Sequence, residues 1–445
     1  MKGKWLFGIV LALIATNITA QTWQTVGVAG FSAGDNAYNS LAFSNSGEPY
    51  LAFRDDGNSN KATVMKFDGV NWVNVGTPGF SAGNVNYTSL AISSTGEPYV
   101  AYQDFGNSGK VTVMKFNGVN WVVVGAAGFS DGVAWYPSLA FNSSGVPFVA
   151  YMDFANSNKA TVKKFNGTNW VNVGATGFSS GDAKYTSLTI SSTGEPYVAF
   201  KDGNMGNKTT VFKYDGTNWN IVGSSGFSQA DVDYISTAFS SSGELYVAYS
   251  DGGNAYKATV MKFNGNSWVN VGTVGFSAGA AVTISLAFSA SGEPYVAYED
   301  AGNSSKATVM KFNGTNWVNV GTAGFSAGFA PHTSLAFSGS GEPYVAFQDC
   351  ANSCNATVMK FSTATGLDGL LSNKAGIKIY PNPTKNQIHF SVPSNVQITN
   401  TMGQTIANKK NVTILELSDI SAGIYLLTFT DNSGSVIQLS KVVKE

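Results

Sequence analysis

The chain has 445 residues, only 12% of them are charged, and its formal net charge at pH 7 is −1. This near-neutral balance provides no basic field for phosphate backbones, which excludes a nucleic-acid-binding protein. With 50 glycines and 13% aromatic residues, the composition is typical of many short strands joined by tight turns, and it predicts an all-β fold.

The first 20 residues have the pattern of a cleaved secretory signal peptide. Lys2 and Lys4 precede an apolar run over residues 5–15, and Ala20 ends the segment. The run is too short to span a membrane, and no later window approaches the roughly 20 apolar residues that a span needs. We therefore expect an exported protein without a transmembrane segment, from which residues 1–20 are removed.

After this leader the chain repeats itself every 49 residues, without insertion or deletion. A fixed period of this length indicates stacked copies of one supersecondary unit, because no copy can bury its apolar face alone. Each copy contains four runs of strand character between turn residues, represented by TSLAIS, EPYVAYQD, KVTVMKF and NWVNVG. Seven copies of four antiparallel strands predict a seven-bladed β-propeller over residues 21–362. The period is marked by Trp23, Trp72, Trp121, Trp170, Trp219, Trp268 and Trp317.

The two ends of the repeat predict how the ring closes. The segment around Trp23 is a fourth strand with no preceding three, and the last copy, residues 333–361, has three strands with no fourth. We predict that the Trp23 strand pairs with residues 356–361 and becomes the outer strand of the last blade. Such closure hides two sheet edges that would otherwise promote aggregation.

Recurring aromatic residues predict the core between blades. The tryptophans above, a phenylalanine eight residues after Trp23 and its equivalents, and the SLAF runs all recur at strand spacing. We interpret them as inter-blade packing, with a sugar-stacking platform as the alternative. The phenylalanines are Phe31, Phe80, Phe129, Phe178, Phe227, Phe276 and Phe325.

Polar residues that recur near one end of the blades form the candidate ligand site. The second strand of each copy ends in an aspartate, and these residues are Asp55, Asp104, Asp153, Asp202, Asp251, Asp300 and Asp349. In most copies an asparagine follows three positions later, at Asn58, Asn107, Asn156, Asn254, Asn303 and Asn352. The first strand carries tyrosines on the same face, at Tyr38, Tyr87, Tyr136, Tyr185 and Tyr234.

Two interpretations of these residues stay open. Carboxylates and amides accept sugar hydroxyls and aromatic rings offer a flat apolar surface, so together they suit a neutral sugar. The alternative is that the aspartates and asparagines only cap the loop by bonding its backbone N–H groups. The copies also differ, since His332 and Thr283 replace the tyrosine and Trp135 adds an aromatic residue. Such departures would mark an asymmetric site at the channel mouth, and neutral drift would produce them too.

The body resembles known propeller families in its architecture. Its period is close to that of kelch repeats, and SLAF with GEPYVAY is similar to blades of sialidase-like propellers and of seven-bladed propeller lectins. The paired glycines of a kelch blade are missing. The Asp-box of sialidases is not present in full, and the run Asn-Gly-Thr-Asn-Trp matches it only in part. The resemblance therefore implies a propeller fold and leaves the ligand open.

Both cysteines, Cys350 and Cys354, lie in one predicted loop of an exported chain. We expect a local disulfide between them rather than a pair of thiols. The propeller contains a single histidine, His332. We therefore expect neither a metal site nor a cofactor.

A different domain follows the repeat. Residues 363–376 read as a polar linker, and alternating strands over residues 377–445 predict a small β-sandwich. This segment resembles the C-terminal (Por type A) sorting domain of type IX secretion, which implies passage through the outer-membrane secretion machinery and a protein that is either surface-anchored or released. An ordinary accessory sandwich is the alternative. The residues that carry the resemblance are Tyr380, Pro381, Asn382, Pro383, Gly403, Gln404, Gly423, Ile424, Tyr425, Lys441, Val442, Val443 and Lys444.

Enzymatic activity is disfavoured by the residue inventory. Sialidases hold their substrate carboxylate with several arginines, whereas this chain has one, Arg54. A glycosidase needs two carboxylates in unlike environments, whereas the copies are nearly alike. Near-identity suits multivalent binding, so the leading hypothesis is a secreted or surface-displayed carbohydrate-binding propeller. A protein-interaction or adhesion scaffold and a polysaccharide-active enzyme are the alternatives.

Overall fold

The computed structural model describes residues 21–363, 377–400, 404–430 and 436–445. The predicted leader lies outside these residues, as do residues 364–376 of the predicted linker. The chain divides into two compact units, of which one is Trp23–Ser362 and the other contains Thr363–Glu445.

The first unit consists of short strands, because each repeat alternates apolar and polar residues between turns. In chain order the strands are β1 (Gln21–Thr25), β2 (Asn36–Phe43), β3 (Pro49–Asp55), β4 (Lys61–Phe67), β5 (Trp72–Asn74), β6 (Val85–Ile92), β7 (Pro98–Asp104), β8 (Lys110–Phe116), β9 (Trp121–Val123), β10 (Ala134–Phe141), β11 (Pro147–Asp153), β12 (Lys159–Phe165), β13 (Trp170–Asn172), β14 (Ala183–Ile190), β15 (Pro196–Asp202), β16 (Lys208–Tyr214), β17 (Trp219–Ile221), β18 (Val232–Phe239), β19 (Leu245–Asp251), β20 (Lys257–Phe263), β21 (Trp268–Asn270), β22 (Ala281–Phe288), β23 (Pro294–Asp300), β24 (Lys306–Phe312), β25 (Trp317–Asn319), β26 (Ser334–Phe337), β27 (Pro343–Asp349) and β28 (Asn355–Thr363).

These strands form seven antiparallel four-stranded sheets, the blades of a propeller. Blades 1 to 6 take four consecutive strands each, from β2–β5 to β22–β25, with the first strand innermost. Between the second and third strand of these blades lies one turn of 3-10 helix that begins directly after the recurrent aspartate. These turns are Asp56–Asn58, Phe105–Asn107, Phe154–Asn156, Gly203–Met205, Gly252–Asn254 and Ala301–Asn303.

The seventh blade confirms the predicted closure. Its order is β1-β28-β27-β26, so the N-terminal strand is the outer strand of the last blade. The backbone N–H of Val26 donates to the carbonyl of Val358 at 2.9 Å, and that of Phe31 donates to Ala356 at 2.9 Å. Because the outer strand and the other three come from opposite ends of the repeat, main-chain hydrogen bonds close the ring.

The inner strands are joined to each other through the serine of the SLAF run. The hydroxyl oxygen of Ser40 in blade 1 accepts the backbone N–H of Leu90 in blade 2 at 2.9 Å. The same bond recurs at every junction, including the one between Leu41 of blade 1 and Ser334 of blade 7 at 3.0 Å. The inner strand of each blade is thereby hydrogen-bonded to the inner strand of the next blade around the whole ring.

Stacked aromatic rings pack each blade against the next, as predicted. The indole of Trp72 lies on the ring of Phe31 with centroids 4.4 Å apart and planes 7° from parallel. Its N–H donates to the carbonyl of Val26 at 2.8 Å, so the polar atom of the buried ring is satisfied. The other six tryptophans stack in the same way on the phenylalanines. These aromatic residues therefore form the core and are not exposed for sugar stacking.

The C-terminal unit is a five-stranded β-sheet, in agreement with the predicted all-β C-terminal domain. Its strands are β29 (Ile379–Tyr380), β30 (Gln387–Asn400), β31 (Thr405–Glu416), β32 (Gly423–Thr430) and β33 (Val436–Lys444). Its strand order is β29-β30-β32-β33, and β31 pairs with β30. The register of β30 shifts between His389 and Val396, so its first half pairs with β29 and its second half with β32. A sequence pattern predicts strands but not this change of partner within one strand.

Candidate functional site

The recurrent aspartates are buried in the loops that they close. Each of the seven is at most 2% exposed. In blade 3, one carboxylate oxygen of Asp153 accepts from the amide of Asn156 at 2.8 Å and from the hydroxyl of Thr161 at 2.9 Å. The other oxygen accepts the backbone N–H of Ala155 at 3.1 Å. The carboxylate is thus saturated from within its own blade.

Most of this arrangement recurs around the ring, although the second carboxylate oxygen of Asp55 in blade 1 is buried without a hydrogen-bond partner. Six of the aspartates bond to the asparagine three positions later and to the threonine eight positions later, at distances of 2.7 to 3.0 Å. In blade 4, Asp202 accepts instead from the hydroxyl of Ser180 and from the backbone N–H of Asn204. A ligand in solution cannot reach these oxygens, so the geometry supports the loop-capping interpretation of the aspartates and asparagines.

The tyrosines have a different environment, because each sits in a bulge of the inner strand. The register of β2 against β3 shifts between Ala37 and Ser40, and Tyr38 has a φ of 57°. All seven residues of this column have positive φ, including Thr283 and His332. A positive φ is unfavourable for residues other than glycine, and a bulge redirects the side chain that it carries.

The bulged side chains form an aromatic arc around the channel axis. Successive ring centroids lie 4.9, 4.8, 4.7, 4.9 and 5.2 Å apart from His332 through to Tyr234. Thr283 interrupts the arc, since it has no ring. Thr283 and all of the ring-bearing residues except Tyr87 line a cavity of about 210 Å³. We define the aromatic arc as His332, Tyr38, Tyr87, Tyr136, Tyr185 and Tyr234.

Burial disfavours the charged forms of four tyrosines and of the histidine in the arc. Desolvation raises the pKa of Tyr136 to about 12 and also raises the pKa of Tyr87, Tyr185 and Tyr234. The pKa of His332 is lowered to about 4, first by burial and then by the charge of Arg54, although Asp35 opposes this. The arc therefore offers neutral hydroxyls, a neutral imidazole and aromatic faces.

His332 gives this region a pH dependence that can be isolated by His332→Tyr, which restores the residue found in five other copies. Its pKa is about 4 in the folded protein and about 6.5 when unfolded. Between these values the unfolded chain binds more protons, so wild-type stability falls as pH drops from about 6.5 to about 4. We expect His332→Tyr to remove about 2–3 kcal/mol of this loss.

The measurement is urea denaturation of both proteins between pH 7 and pH 4. The difference between their free energies of unfolding cancels the titration of the carboxylates that they share. A difference that stays constant with pH would show that His332 titrates normally in the folded state.

The residues that differ most between copies lie beside the arc. The column immediately before the bulged residue holds a different amino acid in every blade, and the column before the aspartate is nearly as varied, whereas the strands around them repeat. The first column is Ala37, Asn86, Trp135, Lys184, Asp233, Val282 and Pro331, and the second is Arg54, Gln103, Met152, Lys201, Ser250, Glu299 and Gln348. The seven-fold symmetry is therefore broken at one end of the channel.

Polar contacts across blades connect these two columns. The ammonium of Lys201 in blade 4 pairs with the carboxylate of Asp233 in blade 5 at 2.7 Å. The guanidinium of Arg54 in blade 1 donates to the amide oxygen of Asn86 in blade 2 at 3.4 Å. Within its own blade it pairs with Asp56 at 3.1 Å and lies 5.5 Å from the centroid of the Tyr38 ring. The rim of the cavity thus carries charged hydrogen-bonding groups held in place by their partners.

Exposed aromatic residues occur at this end of several blades, with three in blades 2 and 3 besides Tyr256 in blade 5 and Phe329 in blade 7. Trp135 is 38% exposed and makes an edge contact with Tyr136 of the arc, at 6.1 Å between centroids. Phe105 and Phe154 begin the 3-10 turns of blades 2 and 3 and are 51% and 55% exposed. Other copies have Asp56, Gly or Ala at that position, or Cys350 in the last. We call Trp135, Phe105 and Phe154 the aromatic platform.

The C-terminal motifs lie together along the last strand. Asn382 donates its amide to the carbonyl of Lys441 at 2.8 Å and accepts the N–H of Val443 at 3.0 Å. Gly423 is paired with Lys444 across the sheet, and Tyr425 is buried in the core. Tyr380 is exposed and stacks on His389, and the bonds before Pro381 and Pro383 are cis, while Gly403 lies outside the described residues.

Residues 378–445 match the family described as the secretion system C-terminal sorting domain. This segment is a secretion sorting domain. The protein is accordingly secreted or attached to the outer surface. No helix in the described residues is long and apolar enough to cross a membrane.

Solved structures similar to the chain are propeller-like proteins of low identity. An ulvan lyase of a polysaccharide lyase family is 12% identical, with a TM-score of 0.51, over 76% of this chain and 95% of that chain. The extracellular domain of a hybrid two-component system from B. thetaiotaomicron is 11% identical, with a TM-score of 0.51, over 96% of this chain and 59% of that chain. The fucose-binding lectin of Aleuria aurantia is 16% identical, with a TM-score of 0.46, over 69% and 100%. No curated protein matches the chain.

The structure thus separates the predicted site residues into two groups. The tyrosines come together in one arc of contacting rings, whereas the aspartates and asparagines stay inside separate blades. Cys350 and Cys354 form the predicted disulfide. Sequence reasoning missed the two variable columns, although a comparison of the copies column by column would have found them.

Proposed function

We propose that the protein is an exported, lectin-like glycan-binding protein with one extended site. The site consists of the aromatic arc, the aromatic platform and the charged rim between them. The observation that supports it most directly is the position of Trp135, which contacts Tyr136 of the arc and belongs to the same end of the blades as the exposed phenylalanines.

The chemistry of this surface suits a neutral oligosaccharide. Aromatic rings pack against the C–H faces of sugars, and phenol hydroxyls and paired charges can bond to sugar hydroxyls in a fixed geometry. Lys201 and Asp233 neutralise each other, as do Arg54 and Asp56. The rim therefore supplies hydrogen bonds without a strong net field that would select a charged ligand.

One site replaces the seven equal sites of the leading sequence hypothesis. That hypothesis depended on carboxylates repeated in every blade, and all seven of these are buried and bonded to groups of the protein. The exposed groups are those that differ between blades. A ligand at this end therefore meets an asymmetric surface, and we expect a stoichiometry of one glycan per chain.

Glycan-array screening of the full chain, followed by calorimetry with the best ligand, tests this proposal. We expect binding in the micromolar to millimolar range with one site per chain. Several equivalent sites per chain would restore the multivalent hypothesis. Absence of glycan binding together with capture of a protein on the same surface would support the adhesion scaffold instead, and release of cleaved products would support a polysaccharide-active enzyme.

Trp135→Asn is the variant that separates this site from the rest of the fold. It introduces the residue that blade 2 carries at this position, Asn86, so the blade should fold normally. We expect the dissociation constant for the glycan to rise about 10- to 100-fold, because buried tryptophans dominate binding energies. Val119→Ala serves as the control, since Val119 is 74% exposed in a turn between the outer strands of blade 2. Equal affinities of the two variants would contradict the proposal.

A further inference from the structure

A lysine, a glutamate and a tyrosine recur together at the opposite end of the blades. In blade 2, the ammonium of Lys115 pairs with Glu97 at 2.9 Å and lies 5.7 Å from the centroid of the Tyr99 ring. Equivalent ion pairs occur in blades 1, 5, 6 and 7, with N–O distances from 2.8 to 3.9 Å. In these blades the positive charge of the lysine is neutralised by the glutamate of its own sheet.

Blade 4 contains the same three residue types without these contacts. Glu195, Tyr197 and Lys213 occupy the same positions, yet within the described residues the ammonium of Lys213 is neither paired with a carboxylate nor placed over the tyrosine ring. Instead, Lys213 lines a groove between blades 4 and 5 with a volume of about 590 Å³. Its positive charge is therefore available to a ligand in the groove.

The walls of this groove are largely apolar, and two of their residues, Ile221 and Leu245, differ from the repeat. Tyr197 and Phe239 meet edge to face, with centroids 5.1 Å apart. Ile221 is 46% exposed and stands where four other copies have asparagine, and Leu245 stands where the others have proline. An exposed isoleucine beside aromatic rings provides a surface for the apolar face of a small ligand.

The other charged group that lines the groove already has a partner. The carboxylate of Glu244 pairs with Lys262 at 2.8 Å, and this ion pair and neighbouring hydrogen bonds lower the pKa of Glu244. It therefore stays ionised but neutralised, and it can accept a hydroxyl. Asn264 adds an amide to the same lining. Lys213 is left as the group that selects the charge of a ligand.

We propose that this groove is a second binding site, separate from the channel mouth, and that it takes a hexuronic acid. The ammonium of Lys213 would bind the sugar carboxylate, Tyr197 and Ile221 would pack against the ring, and Glu244 would accept a hydroxyl. A carboxylate supplies the negative counter-charge that the ammonium of Lys213 lacks. A pyranose ring has an apolar face and hydroxyl groups, and the groove walls offer both apolar side chains and hydrogen-bonding groups to them.

Calorimetry and methyl NMR with glucuronate test the proposal, and the Ile221 methyl groups report on occupation of the groove. We expect glucuronate at concentrations up to about 20 mM to shift these signals and glucose to shift them at least about tenfold more weakly. Octanoate is the third probe. Tighter binding of octanoate than of glucuronate would replace the sugar by an apolar carboxylate, and absence of any shift with glucuronate would reject the site.

Lys213→Met is the decisive variant, and Lys311→Met is its matched control in blade 6. We expect the first to weaken glucuronate binding by about tenfold or more, because the ligand carboxylate loses its charged donor. The control should leave binding unchanged, although it removes a similar lysine. Ile221→Asn, which restores the repeat residue, should weaken binding without altering the preference for the carboxylate. Equal binding to the Lys213 variant and the wild type would overturn the assignment, whatever the outcome at the channel mouth.

Discussion

Replacing Trp23 with alanine should destabilise the propeller by about 3–5 kcal/mol, the usual cost of truncating a packed aromatic residue. The indole of Trp23 lies on the ring of Phe325 at 4.0 Å, and its N–H donates to the carbonyl of Val320 at 2.7 Å. It also contacts Phe361 in β28. These contacts hold β1 against a strand from the other end of the repeat, so their loss weakens the closure of the ring.

The matched control is Trp219→Ala in blade 4, where the same ring packs on Phe178 at 4.1 Å and donates to Val173 at 2.7 Å. Urea denaturation should show similar losses for both variants. Hydrogen exchange should differ, because β17 belongs to a continuous hairpin whereas β1 is joined to its blade only by pairing. We expect faster exchange in Asn355–Thr363 for the Trp23 variant alone. Unchanged protection there would mean that the ring closes without this side chain.

Replacing Asp153 with alanine should cost about 3–5 kcal/mol of stability and leave glycan affinity unchanged. The substitution removes the acceptor of three donors, from Asn156, Thr161 and the backbone of Ala155. Buried donors without partners are costly, at about 1–3 kcal/mol each. Because the carboxylate is fully buried, its removal should not change the contacts between the protein and a ligand at the channel mouth.

Thermal unfolding and calorimetry of the same preparation, at a temperature where the variant is folded, check both parts of this expectation. Asp68→Asn is the control, since it places in an exposed turn the residue that blade 2 has there, Asn117. If the Asp153 variant kept its stability but lost glycan binding, the result would show that the aspartates bind the ligand and do not serve only as loop caps.

Much of the propeller could be predicted because the sequence patterns that specify its strands are local and recur in every copy. Alternation of apolar residues predicts the strands, and the 49-residue period predicts equal blades. The unpaired Trp23 strand and the incomplete last copy predict the closure, since each would otherwise leave an open edge. The sorting domain was recognisable from short motifs, but its sheet pairing was not, because β30 changes partner at its bulges.

The candidate site was harder to predict, because recurrence does not distinguish a structural need from a binding function. Asp153 and Tyr136 both recur at the 49-residue period, the aspartate in seven copies and the tyrosine in five. Their roles separate only when the loops fold, as the aspartate turns inward to meet donors of its own blade and the bulge turns the tyrosine towards the axis.

The amino-acid sequence by itself determined that the chain is exported and that its body is a closed ring of seven blades. The folded structure decided which polar and aromatic groups face solvent, and that Lys213 lacks the ion pair that its equivalents in blades 1, 2, 5, 6 and 7 make. The reason is physical: strand patterns depend on neighbours along the chain, whereas exposure and charge pairing depend on contacts between strands and blades.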